Sequence, residues 1–122
     1  MKKLPFLLAA LSSMALAPLA VASDFVPIPK QYVYRPNLGS LHDYCTKSPD
    51  EFRGVDGIAN FRGPCARHNI CQGGSTDKTL CDFRWLQDMC ANCAAAFRTW
   101  NASRVACYTT AGIYFTAATI AG

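Results

Sequence analysis

The sequence predicts a mainly α, disulfide-linked domain: two antiparallel core helices, a third helix packed alongside, and no substantial sheet. Three observations carry this. Seven cysteines, at positions 45, 65, 71, 81, 90, 93 and 107, crowd into the later part of a 122-residue chain. In Lys78–Asn101, Phe83, Leu86, Cys90, Cys93, Phe97 and Trp100 recur at intervals of three and four, the period of a helix with one buried face. Before that segment stands Gly73-Gly74, and glycine both weakens and terminates helices, so the chain must turn there.

In chain order, Met1–Ala22 reads as an export signal. Lys2 and Lys3 precede an apolar run from Leu4 to Ala20, and Ala20-Val21-Ala22 supplies a small-residue cleavage site before Ser23. A membrane anchor is the competing reading, but Ser12, Ser13 and Pro18 weaken the run as a span. Setting Lys2 and Lys3 aside leaves ten basic and eight acidic residues, too small an excess to point to nucleic acid. An exported domain of this size reinforces a modest core with disulfides. The odd cysteine count leaves at least one thiol over. Zinc at Cys65, His68, Cys71, Cys90 and Cys93 is the alternative, and it suits reducing compartments better.

Residues 23–40 form a proline-rich arm, with Pro27, Pro29 and Pro36 excluding a regular helix. The arm's aromatics, Tyr32 and Tyr34, are expected to pack on the body of the domain, residues 41–122, with contact to lipid as the alternative. Leu41–Asp50 and Phe52–Asn60 read as loops whose acidic and carbonyl oxygens suit a hard cation. Gly63-Pro64 opens the first core helix, from about Pro64 to Gln72, with proline tolerated in its first turn. Gly73–Asp77 is the link, and Ser75, Thr76 or Asp77 caps the second helix, Lys78–Asn101. Asn101-Ala102-Ser103 ends it and caps a third, Arg104–Ile120.

His68 is the candidate general base and Asp82 the residue to orient it. A single helix would hold them about 21 Å apart at ~1.5 Å per residue, whereas two antiparallel helices bring them together. A Cys71–Cys81 bridge would tie those helices beside the pair. If Cys65 pairs with Cys45, Asp43 and Tyr44 come to lie beside Asn69, one turn from Cys65. That gathers a carboxylate, a backbone carbonyl and an amide oxygen near His68. Asp82 would fix the imidazole tautomer, the other ring nitrogen would take a proton from water, and a cation would stabilise an oxyanion.

These residues resemble the secreted phospholipase A2 superfamily, in its short prokaryotic and fungal form. The likeness runs through Asp43-Tyr44-Cys45-Thr46-Lys47-Ser48-Pro49-Asp50, Phe61–Cys71 with its Cys-Ala-Arg-His core, Cys81–Met89 and on to Cys93, and Cys107–Ala118. It implies a calcium-assisted hydrolase of the sn-2 ester of glycerophospholipids, acting at a phospholipid membrane surface, secreted or periplasmic. It further implies His68 as base, Asp82 as its partner, and Ca2+ held by Asp43, the Tyr44 carbonyl and position 69. The bridges it implies are Cys45–Cys65, Cys71–Cys81 and Cys93–Cys107, leaving Cys90 free. Two positions depart from the pattern: Asn69 stands where the family has an aspartate, and Gln72 where it has a tyrosine. Both favour the alternative of a catalytically weak lipid-binding or toxin-like module.

Overall fold

The computed structural model describes residues 25–121; the expected signal, 1–22, lies outside the described residues. Five elements follow the arm: strands β1 (Glu51–Gly54) and β2 (Gly57–Asn60), then helices α1 (Arg62–Gly73), α2 (Lys78–Ala96) and α3 (Ala102–Ala121). The fold is therefore mainly helical, as the periodicity predicts. The loop expected over Phe52–Asn60 is instead an antiparallel hairpin, with Glu51 opposite Asn60 and Gly54 opposite Gly57. Its strands have only four residues each, too few to set up a strong alternating pattern, but Asp56-Gly57 is a turn signal.

Local chemistry sets each helix boundary. Asn60 Oδ1 accepts from the Arg62 amide at 2.9 Å and so satisfies a free donor at the start of α1. Pro64 falls within the first turn of α1, where its missing N–H costs nothing. Asp77 is the N-cap of α2, accepting from the Leu80 amide, and Asn101 accepts from the Arg104 amide at 2.9 Å to start α3.

Helix α2 stops at Ala96, five residues short of the expected Asn101. Phe97 leaves the helix and its ring lies against the hairpin, where a Cβ on Gly54 would come within 2.9 Å of it. Trp100, expected on the buried stripe, is exposed as a result, and so is Phe83. The face of α2 that is buried runs Cys81, Trp85, Met89, Asn92 and Cys93. The spacing of three and four is the same, but the stripe is displaced around the helix, because Met89 and Trp85 pack on Phe61 and the Cys93–Cys107 bridge.

Three disulfides staple these elements. Cys45–Cys65 holds the loop before β1 to α1, Cys71–Cys81 joins α1 to α2, and Cys93–Cys107 joins α2 to α3. Closing loops of 10 to 20 residues is worth roughly 3 kcal/mol apiece. Cys90 is free and half-buried, and burial pushes its thiol above the ordinary range, so it is a poor thiolate.

The arm is fastened to the body by buried polar groups. Asn92 on α2 pairs with both the N–H and the C=O of Val26, and its amide also reaches the Asn60 carbonyl at 2.6 Å. Gly63 lies directly beneath the arm: a Cβ there would collide with the Val26 carbonyl oxygen and come within 2.7 Å of the Pro27 carbonyl carbon. Backbone cannot swing aside as a flexible side chain can. Gly63→Ala should therefore lift the arm and cost about 1–3 kcal/mol, the range for overpacking a filled site. Urea unfolding checks the cost, and faster proteolysis within residues 25–40 checks the release; an unchanged midpoint with an intact arm contradicts the packing described.

Candidate active site and the neighbouring oxygen loop

The short Gly74–Asp77 link and the Cys71–Cys81 bridge, with Cα atoms 5.6 Å apart, fold α2 back along α1. That brings His68 and Asp82 together, Nε2 to Oδ1 at 2.7 Å, with the two side chains 8% and 1% exposed. An ionised carboxylate only accepts, so Nε2 carries the proton and donates it. Nδ1 has no hydrogen-bond partner among the described residues. The imidazole is stacked on Trp85, ring centres 4.3 Å apart and planes 8° from parallel, which fixes its tilt. His68 and Trp85 line a cavity of about 580 Å³ whose wall also includes Ile70, Arg67, Arg84 and Asp88.

Lys78 is a further member of this site, beyond the residues that the sequence motifs single out. Its ammonium group donates to Asp82 Oδ2 at 2.7 Å, one helical turn away, and to the Ala118 carbonyl of α3 at 3.0 Å. The i,i+4 spacing of Lys78 and Asp82 was the available signal. Burial favours the neutral acid at Asp82, but the hydrogen bonds from Lys78 and then His68 outweigh it and hold the carboxyl below its ordinary range. At His68 burial lowers the imidazole, the Asp82 hydrogen bond and charge oppose that, and Lys78 lowers it further; the net direction is down. Near neutral pH the site therefore holds an ionised Asp82 and a neutral His68 whose Nδ1 is bare. Such a ring can accept a proton.

Asp43, Tyr44 and Asn69 are brought near one another but not as a set of converging oxygens. Asn69, on α1 and 5% exposed, donates from Nδ2 to the Tyr44 carbonyl at 3.0 Å and to the Tyr32 hydroxyl at 2.8 Å. A carbonyl only accepts, so the amide must present its nitrogen there. Asp43 accepts from the Thr46 hydroxyl at 2.6 Å. Tyr44 sits at φ 57°, its amide donates to Tyr32 Oη at 3.0 Å, and its ring stacks against Tyr32 and Tyr34. Calcium takes about six to eight oxygens. In this arrangement these residues do not fit the ion, because a donor stands where a ligand oxygen would be needed. Of the arm's aromatics, Tyr32 links the arm to α1, whereas Tyr34 stacks on Tyr44 but stays exposed.

Comparison with known protein families, curated proteins and solved structures returns no match.

The direction of the His68 shift carries a prediction. The folded state prefers the neutral ring, so the stabilisation is complete above the unfolded value near 6.5 and is lost as pH falls below it toward the lower folded value. Stability measured by urea unfolding should therefore decline between pH 7 and pH 5, and His68→Gln should flatten that decline. An equally steep decline in the variant would mean that His68 is not the group responsible.

Proposed function

We propose that this protein is a hydrolase of the phospholipase A2 type, in which His68 and Asp82 activate water for attack on the sn-2 ester of a glycerophospholipid. The observation that carries the reading is the buried bond from His68 Nε2 to Asp82 Oδ1, beside a cavity that the same histidine lines. Asp82 holds the imidazole in the Nε2–H tautomer. Nδ1 takes the proton of a water molecule as its oxygen attacks the ester carbonyl, and gives a proton to the leaving alkoxide when the tetrahedral intermediate breaks down. No nucleophilic side chain is required. The paired helices, the three disulfides and the resemblance around Cys-Ala-Arg-His support the assignment.

A phospholipid surface is the partner in this reading. Arg67 and Arg84 line the cavity with Ile70, and Asp88 is paired with Arg67 at 3.2 Å, which leaves a positive charge over. An anionic head group is attracted to such a rim. Among the described residues no helix is long and apolar enough to cross a membrane. Three disulfides suit an oxidising compartment, in keeping with a secreted or periplasmic location.

Calcium assistance belongs to the proposal as an expectation of the resemblance, and no step is routed through the ion. For Asn69 to serve as a ligand its amide must turn over and release the Tyr44 carbonyl. The Asn69 contact also favours a second reading, a lipid-binding module of the same fold with weak or no catalysis.

One assay separates the two readings. Mixed phosphatidylcholine and phosphatidylglycerol vesicles are incubated with the natural chain, His68→Gln and Asn69→Asp, each with millimolar calcium and with chelator. The hydrolase reading expects fatty acid release by the natural chain and loss of at least about 10²-fold in His68→Gln, the scale of a positioned general base. Asn69→Asp should gain activity and thermal stability specifically with calcium. Vesicle binding without release by any of the three supports the module, and undiminished release by His68→Gln rules out the hydrolase mechanism.

A further inference from the structure

The geometry points to Lys78 as the positioning residue of the His68–Asp82 pair: its ammonium group, anchored on the end of α3, keeps Asp82 an ionised acceptor aimed at Nε2. The inference deepens the hydrolase reading and rests on it for its kinetic part alone. Asp82 is 1% exposed, and its two oxygens are taken up by two donors, His68 from α1 and Lys78 from α2. Lys78 is itself held in place. Besides Asp82 it donates to the Ala118 carbonyl in the last turn of α3, at the negative end of that helix's dipole. An i,i+4 ion pair on an open helix face does little. This one differs because the acid is buried, because that acid carries the histidine, and because a third helix fixes the lysine.

Removing the ammonium group takes from Oδ2 the charged donor that the structure gives it, on a carboxyl that is itself 1% exposed. A carboxylate so placed takes up a proton from solution. The resulting carboxylic acid donates to Nε2 instead of accepting from it, and the imidazole proton is then carried on Nδ1. Nδ1 is the atom that must be bare to accept a proton from water. Lys78 therefore governs which end of the ring is basic without touching substrate. The other charged groups around His68 are Arg67 of α1 and Arg84 and Asp88 of α2, which line the cavity. Neither arginine contacts Asp82, and neither can replace Lys78 in this role.

The test reads the imidazole directly and needs no substrate. Nitrogen-15 shifts of His68 are recorded at about pH 8, where the ring is neutral, in the natural chain, Lys78→Met and Lys78→Arg. The only other histidine is His42, and His68→Gln distinguishes the two sets of signals. The natural chain should show the Nε2–H tautomer, Lys78→Met a shift toward Nδ1–H, and Lys78→Arg a return to the natural pattern. If Lys78→Met fails to fold, Lys78→Leu, which likewise carries neither charge nor donor, should show the same shift. A folded, uncharged variant that retains the natural pattern overturns the inference, as does a folded Lys78→Arg that behaves like Lys78→Met. The kinetic arm uses the vesicles above: kcat should fall about tenfold in Lys78→Met with KM unchanged, a part of the ~10²–10⁴ that a positioned base supplies, and recover in Lys78→Arg. No hydrolysis by the natural chain would end the hydrolase reading alone, while the nitrogen shifts still decide the role of Lys78.

Discussion

A buried carboxylate is the constraint around which the rest of the molecule is arranged. Asp82 is taken out of water and is tolerated there only because two cationic or N–H donors meet it, one from each core helix. Everything near it works toward that meeting. The Cys71–Cys81 bridge and the glycine-containing link bring α1 and α2 close enough for His68 to reach across. Trp85 supplies a flat wall that sets the imidazole's tilt, and Tyr114 of α3 packs behind the indole. Lys78 then couples the third helix to the same carboxylate. Breaking a buried pair by deleting one partner is costly because a stranded charge remains, so this group of residues acts as a unit.

Two asparagines do a comparable job for the N-terminal arm. Asn92 closes the hydrogen bonds of Val26 and Asn60, and Asn69 joins the Tyr32 hydroxyl to the Tyr44 carbonyl. A small domain has little apolar area to hold an extended segment, and hydrogen bonds from these two buried amides make up part of the difference. The Asn69 amide also gives the oxygen loop a positive hydrogen-bond partner from within the chain. Its neutrality and its donors set this loop apart from one built around a carboxylate at that position.

Much of this was legible in the residues. Periodicity, the glycine pair and the cysteines led to three helices, and the reasoning that His68 and Asp82 must lie on opposite helices matches where they meet. The displaced stripe on α2 was not legible, because Phe83 and Met89 are equally apolar on paper and only packing against Phe61 decides which faces inward. The hairpin was hidden by its shortness, and the early end of α2 by Phe97, whose ring is drawn off the helix by bare glycine backbone across from it. Nor did composition reveal the way Asn69 faces, since an amide offers a donor and an acceptor alike and the neighbouring Tyr44 carbonyl selects between them.

The central claim is that the His68–Asp82 pair activates water against one particular ester. It is tested most directly by a glycerophospholipid carrying different isotopic labels in its two acyl chains, hydrolysed in oxygen-18 water by the natural chain and by a folded Asp82→Asn variant. The account predicts release of the sn-2 chain with one oxygen-18 atom in its carboxylate, and a rate that drops sharply in the variant although the protein still melts cooperatively. Release of the sn-1 label, or equal rates from both proteins, would contradict it.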